Sequence, residues 1–185
     1  MSVLLYPTCP VDCAGSLPEP TFNECAPVVG YGEIAYMYLG KADAGSFDNV
    51  ESLAEWTERL ALAVSNADAI RKFIVLADLP EPEATELVIS GNRTVRGFKK
   101  FTMPFEIDED NDDNYQAHLT FECNNKFTMW FETADGMMFG GNEGIPVSIL
   151  SNYVIPRGRT EVRKVMGKAT WESKKSPLRN VSPLA

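Results

Sequence analysis

Apolar and polar positions alternate with a period of two along most of this chain, and follow a helical period in one segment. In KFTMWFETADGMMFGG (126–141), Phe127, Met129 and Phe131 share one side and Thr128, Trp130 and Glu132 the other. Ala134, Asp135 and Gly136 then read as the turn of a hairpin. GEIAYMYLGK (32–41), KFIVLADLP (72–80, stopped by proline) and TELVIS (85–90) are further strands, rich in β-branched and aromatic residues. The turn signal GNR at 91–93 leads into a long strand over 94–107, marked by Val95, Phe98, Phe101, Met103, Phe105 and Ile107. The inward parity changes between Val95 and Phe98, which predicts a bulge near Gly97. Two last strands fit 146–155 and 160–171.

The helical segment is 49–65. Leu53, Trp56, Leu60 and Val64 form one apolar stripe, and Asp48 with Glu51 has capping-box spacing. DNYQAHLTFEC (113–123) fits two patterns. Tyr115, Ala117, Leu119 and Phe121 alternate as in a strand, while Tyr115, His118, Leu119, Glu122 and Cys123 recur at helical steps. The acids at 108–113 favour the helix, because carboxylates satisfy orphan N–H groups at a helix start. The predicted fold is α+β over 29–171: a mainly antiparallel β-sandwich or partly closed barrel, with one amphipathic helix covering an open face or edge. Leu53, Trp56, Leu60, Phe101, Met129 and Phe131 are its expected core.

Proline changes the picture at the N-terminus. Residues 1–28 hold Pro7, Pro10, Pro18, Pro20 and Pro27 among apolar Leu4, Leu5, Tyr6, Leu17 and Phe22. This is an extended arm that needs another surface to lie on. Charge changes it at the other end. The net charge is −9 over 185 residues, yet residues 157–185 carry 8 basic and 2 acidic side chains. Residues 172–185 read as a second arm, basic and proline-punctuated, with Lys174, Lys175 and Arg179 expected to meet carboxylates on a neighbour. An acidic body argues against general nucleic-acid affinity, which depends on neutralising many phosphates. Self-association is the expected partnership, with no sequence-specific nucleic acid and no membrane. No run of about 18 apolar residues exists, and the first residues lack the basic region of a secretory signal, so a cytoplasmic setting is expected.

Candidate chemistry is sparse. Asp108, Asp110 and Asp112 fit the first three ligand positions of an EF-hand loop, but position 6 is Asp113 rather than Gly and position 12 is Leu119 rather than Glu. The run is expected to be a solvated turn or helix start without calcium. Cys9 and Cys13 have the spacing of a zinc pair, but a full set needs Cys25 together with Cys123 or His118 from far away. The alternative is that these cysteines pack as small apolar residues; no cofactor is expected. Arg93, Arg96, Lys99 and Lys100 interleave with aromatics, a pattern that suits either single-stranded nucleic acid or the polar face of an antiparallel strand. Gly140, Gly141 and Gly144 are not followed by Lys-Ser/Thr and read as tight-connection glycines, not a phosphate loop. His118 has no evident Ser or Cys partner and is expected to be packed; no enzyme is predicted.

Several segments carry a family likeness: EWTERL, IRKFIVLADLPEP, NDDNYQAHLTFECNNKF, WFETADGMMFGGNEGI and ATWESKKSPLRNVSPL. They resemble small virion proteins of crAss-like tailed phages of gut Bacteroidetes, and CPVDCAGSLPEPTFNECAP is similar in style to the starts of that group. The resemblance implies a structural virion protein, assembled in the host cytoplasm: a tail hub, tube or barrel component, or else a capsid auxiliary or head-fibre-associated protein. It carries over no functional residue. The competing class is a cytosolic enzyme or nucleic-acid-binding module.

Overall fold

The computed structural model describes residues 32–90, 93–158 and 160–185, with the side chains of 87–89 and 93–96 left out. Leu4, Leu5, Tyr6, Phe22, Cys9, Cys13 and Cys25 therefore lie outside the described residues. Nine strands and two helices follow in the order β1 (Ile34–Lys41), α1 (Leu53–Ala61), β2 (Ile70–Ala77), β3 (Glu83–Ile89), β4 (Arg93–Ile107), α2 (Asp112–Cys123), β5 (Lys126–Thr133), β6 (Met137–Phe139), β7 (Ile145–Val154), β8 (Lys164–Ser173) and β9 (Arg179–Val181). The fold is α+β and every strand pair is antiparallel.

Six strands close a ring in the order β1, β2, β4, β8, β7, β5 and back to β1. The seam between β2 and β4 is thin, joining Leu76 to Glu106 and Ala77 to Phe105. The predicted partly closed barrel is this ring. Alternation fills it: Met37, Met103, Phe105, Met129, Phe131 and Ile149 point inward and are essentially fully buried. Gly167 is where β8 passes the Phe105 ring, which leaves no room for a Cβ. β3 pairs with the first half of β4, and β6 and β9 extend the sheet beyond β5. The predicted bulge is present. Ala84 pairs with Lys99 and Glu86 with Arg96, so one residue of β3 faces two of β4, Gly97 and Phe98. A Cβ at Gly97 would stand 2.8 Å from the Thr85 carbonyl oxygen, which is why glycine sits there.

A second core lies on the outward side of β1 and β5, built from Tyr38, Phe47, Val50, Trp56, Ile70, Trp130 and Met138. Trp56 and Trp130 meet edge to face at 5.8 Å, with Phe47 against both rings. Both indole N–H groups are satisfied, Trp56 by the Val50 carbonyl at 2.7 Å and Trp130 by Gly141 at 2.9 Å. Gly144, at φ 71°, adopts the left-handed backbone the connection needs, and a side chain there would strike Trp130. Gly140 and Gly141 also have positive φ, as expected of tight-connection glycines.

Three expectations need correction. The helix spans 53–61, not 49–65: its cap is Ser52, whose side chain accepts from Glu55 N–H, while the Glu55 carboxylate takes the Asp48 and Asn49 N–H groups. Leu53 is exposed, because Phe47 and Val50 from the preceding loop occupy the space beside Trp56 that it was expected to fill. The 113–123 segment, for which the acids favoured a helix, is α2. The segment 172–185 also does not stand apart. β8 runs to Ser173, β9 pairs with β6, Ser182 is buried, and Leu184 packs on the second core. Residues 31–185 form one compact unit.

Candidate functional site

A polar cluster among the described residues joins α2 to β7. The acidic run builds its outer end. Asn111 caps α2 by accepting from Asn114 N–H at 2.8 Å, and Asp112 and Asp113 lie in the first turn. Asp110 pairs with Arg163 at 2.6 Å and accepts from the Tyr153 hydroxyl at 2.6 Å. That hydrogen bond holds the Tyr153 hydroxyl above its ordinary pKa. Asp110 thus serves as a strap and Asp112 lies in a helix start. Among the described residues, no three His, Cys, Asp or Glu side chains stand together as a metal site would require.

Further along α2, His118 and Phe121 face the barrel. β7 sends Ile145, Val147, Ile149 and Ser151 to the same buried side. Ser151 Oγ lies 2.9 Å from His118 Nδ1, and Glu122 Oε1 lies 3.5 Å from Nε2. Tyr153 stacks at 28° to the imidazole, with ring centroids 6.1 Å apart. The expectation that His118 lacks a serine partner is therefore corrected. The signal was available: a serine at an inward, otherwise apolar parity needs a hydrogen-bond partner. A Ser–His–carboxylate chain is also the grammar of nucleophilic catalysis. Here histidine and serine are both buried, at 3% and 6% exposure, and both ring nitrogens are engaged. The cluster pins α2 to the barrel.

Beside it, an open groove of about 760 Å³ runs between the end of α2 and the outward side of β7 and β8, lined by Glu122, Cys123, Asn125, Ser148, Leu150 and Lys168 among others. Cys123 is exposed and its thiol is free.

The predicted interface residues that the structure describes all lie in the last twelve positions. Lys174 is exposed, with its ammonium 5.3 Å from the Phe98 ring. Lys175 is half-buried, and its N–H is accepted by Ser173 Oγ. Arg179 is exposed and opens β9, opposite Phe139 of β6. The structure thus sets Arg179 on a sheet edge, which sequence reading as an arm did not anticipate. No helix among the described residues is long and apolar enough to cross a membrane.

No protein-family model matches the sequence, and no curated protein matches it.

Proposed function

We propose that the protein is a non-enzymatic structural component of a tailed-phage virion, most consistent with a tail hub, tube or barrel part. One observation carries this reading. The barrel is filled by its own side chains, while outward strand positions hold large apolar groups: Ile74 and Leu76 on β2, Leu150 on β7 and Met166 on β8. A surface that keeps such residues outward on several strands suits contact with other copies or other virion proteins. The buried polar side chains point the same way. His118 is tied to Ser151 and Tyr38 to Glu132, so both pairs hold elements together. The family likeness of the sequence supplies the virion setting; the barrel supports an assembly role within it.

The test is to purify phage particles whose copy of this chain carries a small tag, and to locate the tag by electron microscopy. The expected result is a fixed copy number at one place in the tail. A fixed place on the head would instead favour the capsid-auxiliary or head-fibre reading. Absence of the chain from particles would overturn the structural role. Tight, salt-sensitive DNA binding by a free monomer would favour the nucleic-acid module, because counterion release gives such binding a steep salt dependence.

A further inference from the structure

The sheet has two ends. Among the described residues, β3 pairs with β4 alone and β9 with β6 alone. On β9, Gly140 N–H donates to the Leu178 carbonyl and Ser182 N–H to the Gly136 carbonyl, which sets residues 178, 180 and 182 on the β6 side. In an antiparallel ladder the intervening residues aim their N–H and C=O groups the other way. Arg179 and Val181 therefore present theirs on the open side, and the side chains of both are exposed. On β3, Glu83, Ala84, Thr85 and Glu86 are all exposed, so both faces of that stretch are in solvent and only one edge is paired.

An open edge is a template for another strand, and charge decides which strand it accepts. The two edges here differ in sign. From Phe73 to Asn92 the chain carries Asp78, Glu81, Glu83 and Glu86 and no base; from Ser176 to Ala185 it carries Arg179 and no acid. Two β3 edges brought together would oppose carboxylate to carboxylate. A β9 edge brings a guanidinium instead. In β4, Lys100 stands opposite Glu83, so an incoming Arg179 would complete a base–acid–base row on that face.

We propose that β9 of one copy adds to β3 of the next, with Arg179 beside Glu83, so that the sheet continues from copy to copy. The two surfaces are different, so the contact is head-to-tail and generates a ring or a filament, not an isologous dimer. This names the partner, a second copy of this chain, and rests on the assembly reading above.

The experiment uses the full-length chain and measures particle mass against concentration by sedimentation. Wild type is expected to assemble. The double variant Glu83→Lys/Glu86→Lys and the single variant Arg179→Glu are each expected to need more than about tenfold higher concentration, because like charges now face each other. An equimolar mixture of the two variants is expected to recover assembly, since each reversed edge finds its complement on the other chain. Melting temperatures check that the variants fold; if Arg179→Glu melts early, Val181→Glu, at the other outward position of β9, replaces it. A wild type that stays monomeric, variants that assemble like wild type, or a mixture that stays monomeric overturns the edge pairing. The broader assembly reading fails by a different result, the absence of the chain from particles.

Discussion

Glu132 is a carboxylate with 3% exposure, and the Tyr38 hydroxyl donates to its Oε2 at 2.6 Å. Burial, and then the hydrogen bond to Glu132, push the Tyr38 hydroxyl far above its ordinary pKa. An unfolded tyrosine ionises near pH 10. The folded value is higher, so this contribution is fully present below about pH 10 and is lost as pH rises beyond it. Wild type is expected to lose stability above that pH, and Tyr38→Phe to lose less of it there. At neutral pH Tyr38→Phe should cost about 1–3 kcal/mol, because it strands a buried acceptor. Adding Glu132→Leu should recover part of that cost, since removing both polar partners avoids the unpaired group. Denaturant melts of the two single variants and the double variant decide this, and additive costs would show that the pair does not act together.

Two elements carry separate expectations. In α1, Trp56→Ala removes the centre of the second core and should cost roughly 3–5 kcal/mol, while Ser52→Ala removes the cap and should cost about 1 kcal/mol. Equal effects of the two in chemical denaturation would contradict this division. In α2, the acids at 112 and 113 sit in the first turn and Asp110 is held by Arg163. Melting temperature should therefore be unmoved by a calcium chelator; a marked drop would reveal a bound ion that stabilises the folded state. Strand positions were legible from alternation; the bulge lies at Gly97, but Phe98, whose inward parity suggested it, is exposed. The bounds of α1 were not legible, because Phe47 and Val50 pack where Leu53 was expected and no local pattern announces that. Trp130 and Glu132 read as the outer side of a hairpin. Parity separates the two sides of a strand but does not tell that a loop and helix 70–90 residues earlier cover the second one. Ser151 at an inward parity signalled that it needed a partner but not which one, because His118 is 33 residues away and meets it only through topology.

At the scale of the molecule, the C-terminal segment is the main revision. Read as a free basic arm, its loss should leave the domain intact. Folded back, it adds β9 to the sheet, buries Ser182 and lays Leu184 on the tryptophan cluster. Deleting 174–185 is expected to cost about 3 kcal/mol from lost apolar burial and strand hydrogen bonds, and so to lower the melting temperature by roughly 6–12 °C. A truncated chain that melts with wild type would restore the free-arm picture.

The ring of six strands is not uniformly bound. β4 meets β8 from Lys99 with Ser173 to Ile107 with Val165, but meets β2 only at Leu76 and Ala77. A cylinder stitched unevenly breathes at its weakest stitch, so the native state should open transiently along that line without unfolding elsewhere. Amide deuteration followed by mass spectrometry reads such breathing directly. Labels should enter the C-terminal end of β2 well before β8, and the wall should come apart there as a slit, as a hoop parts at its clasp.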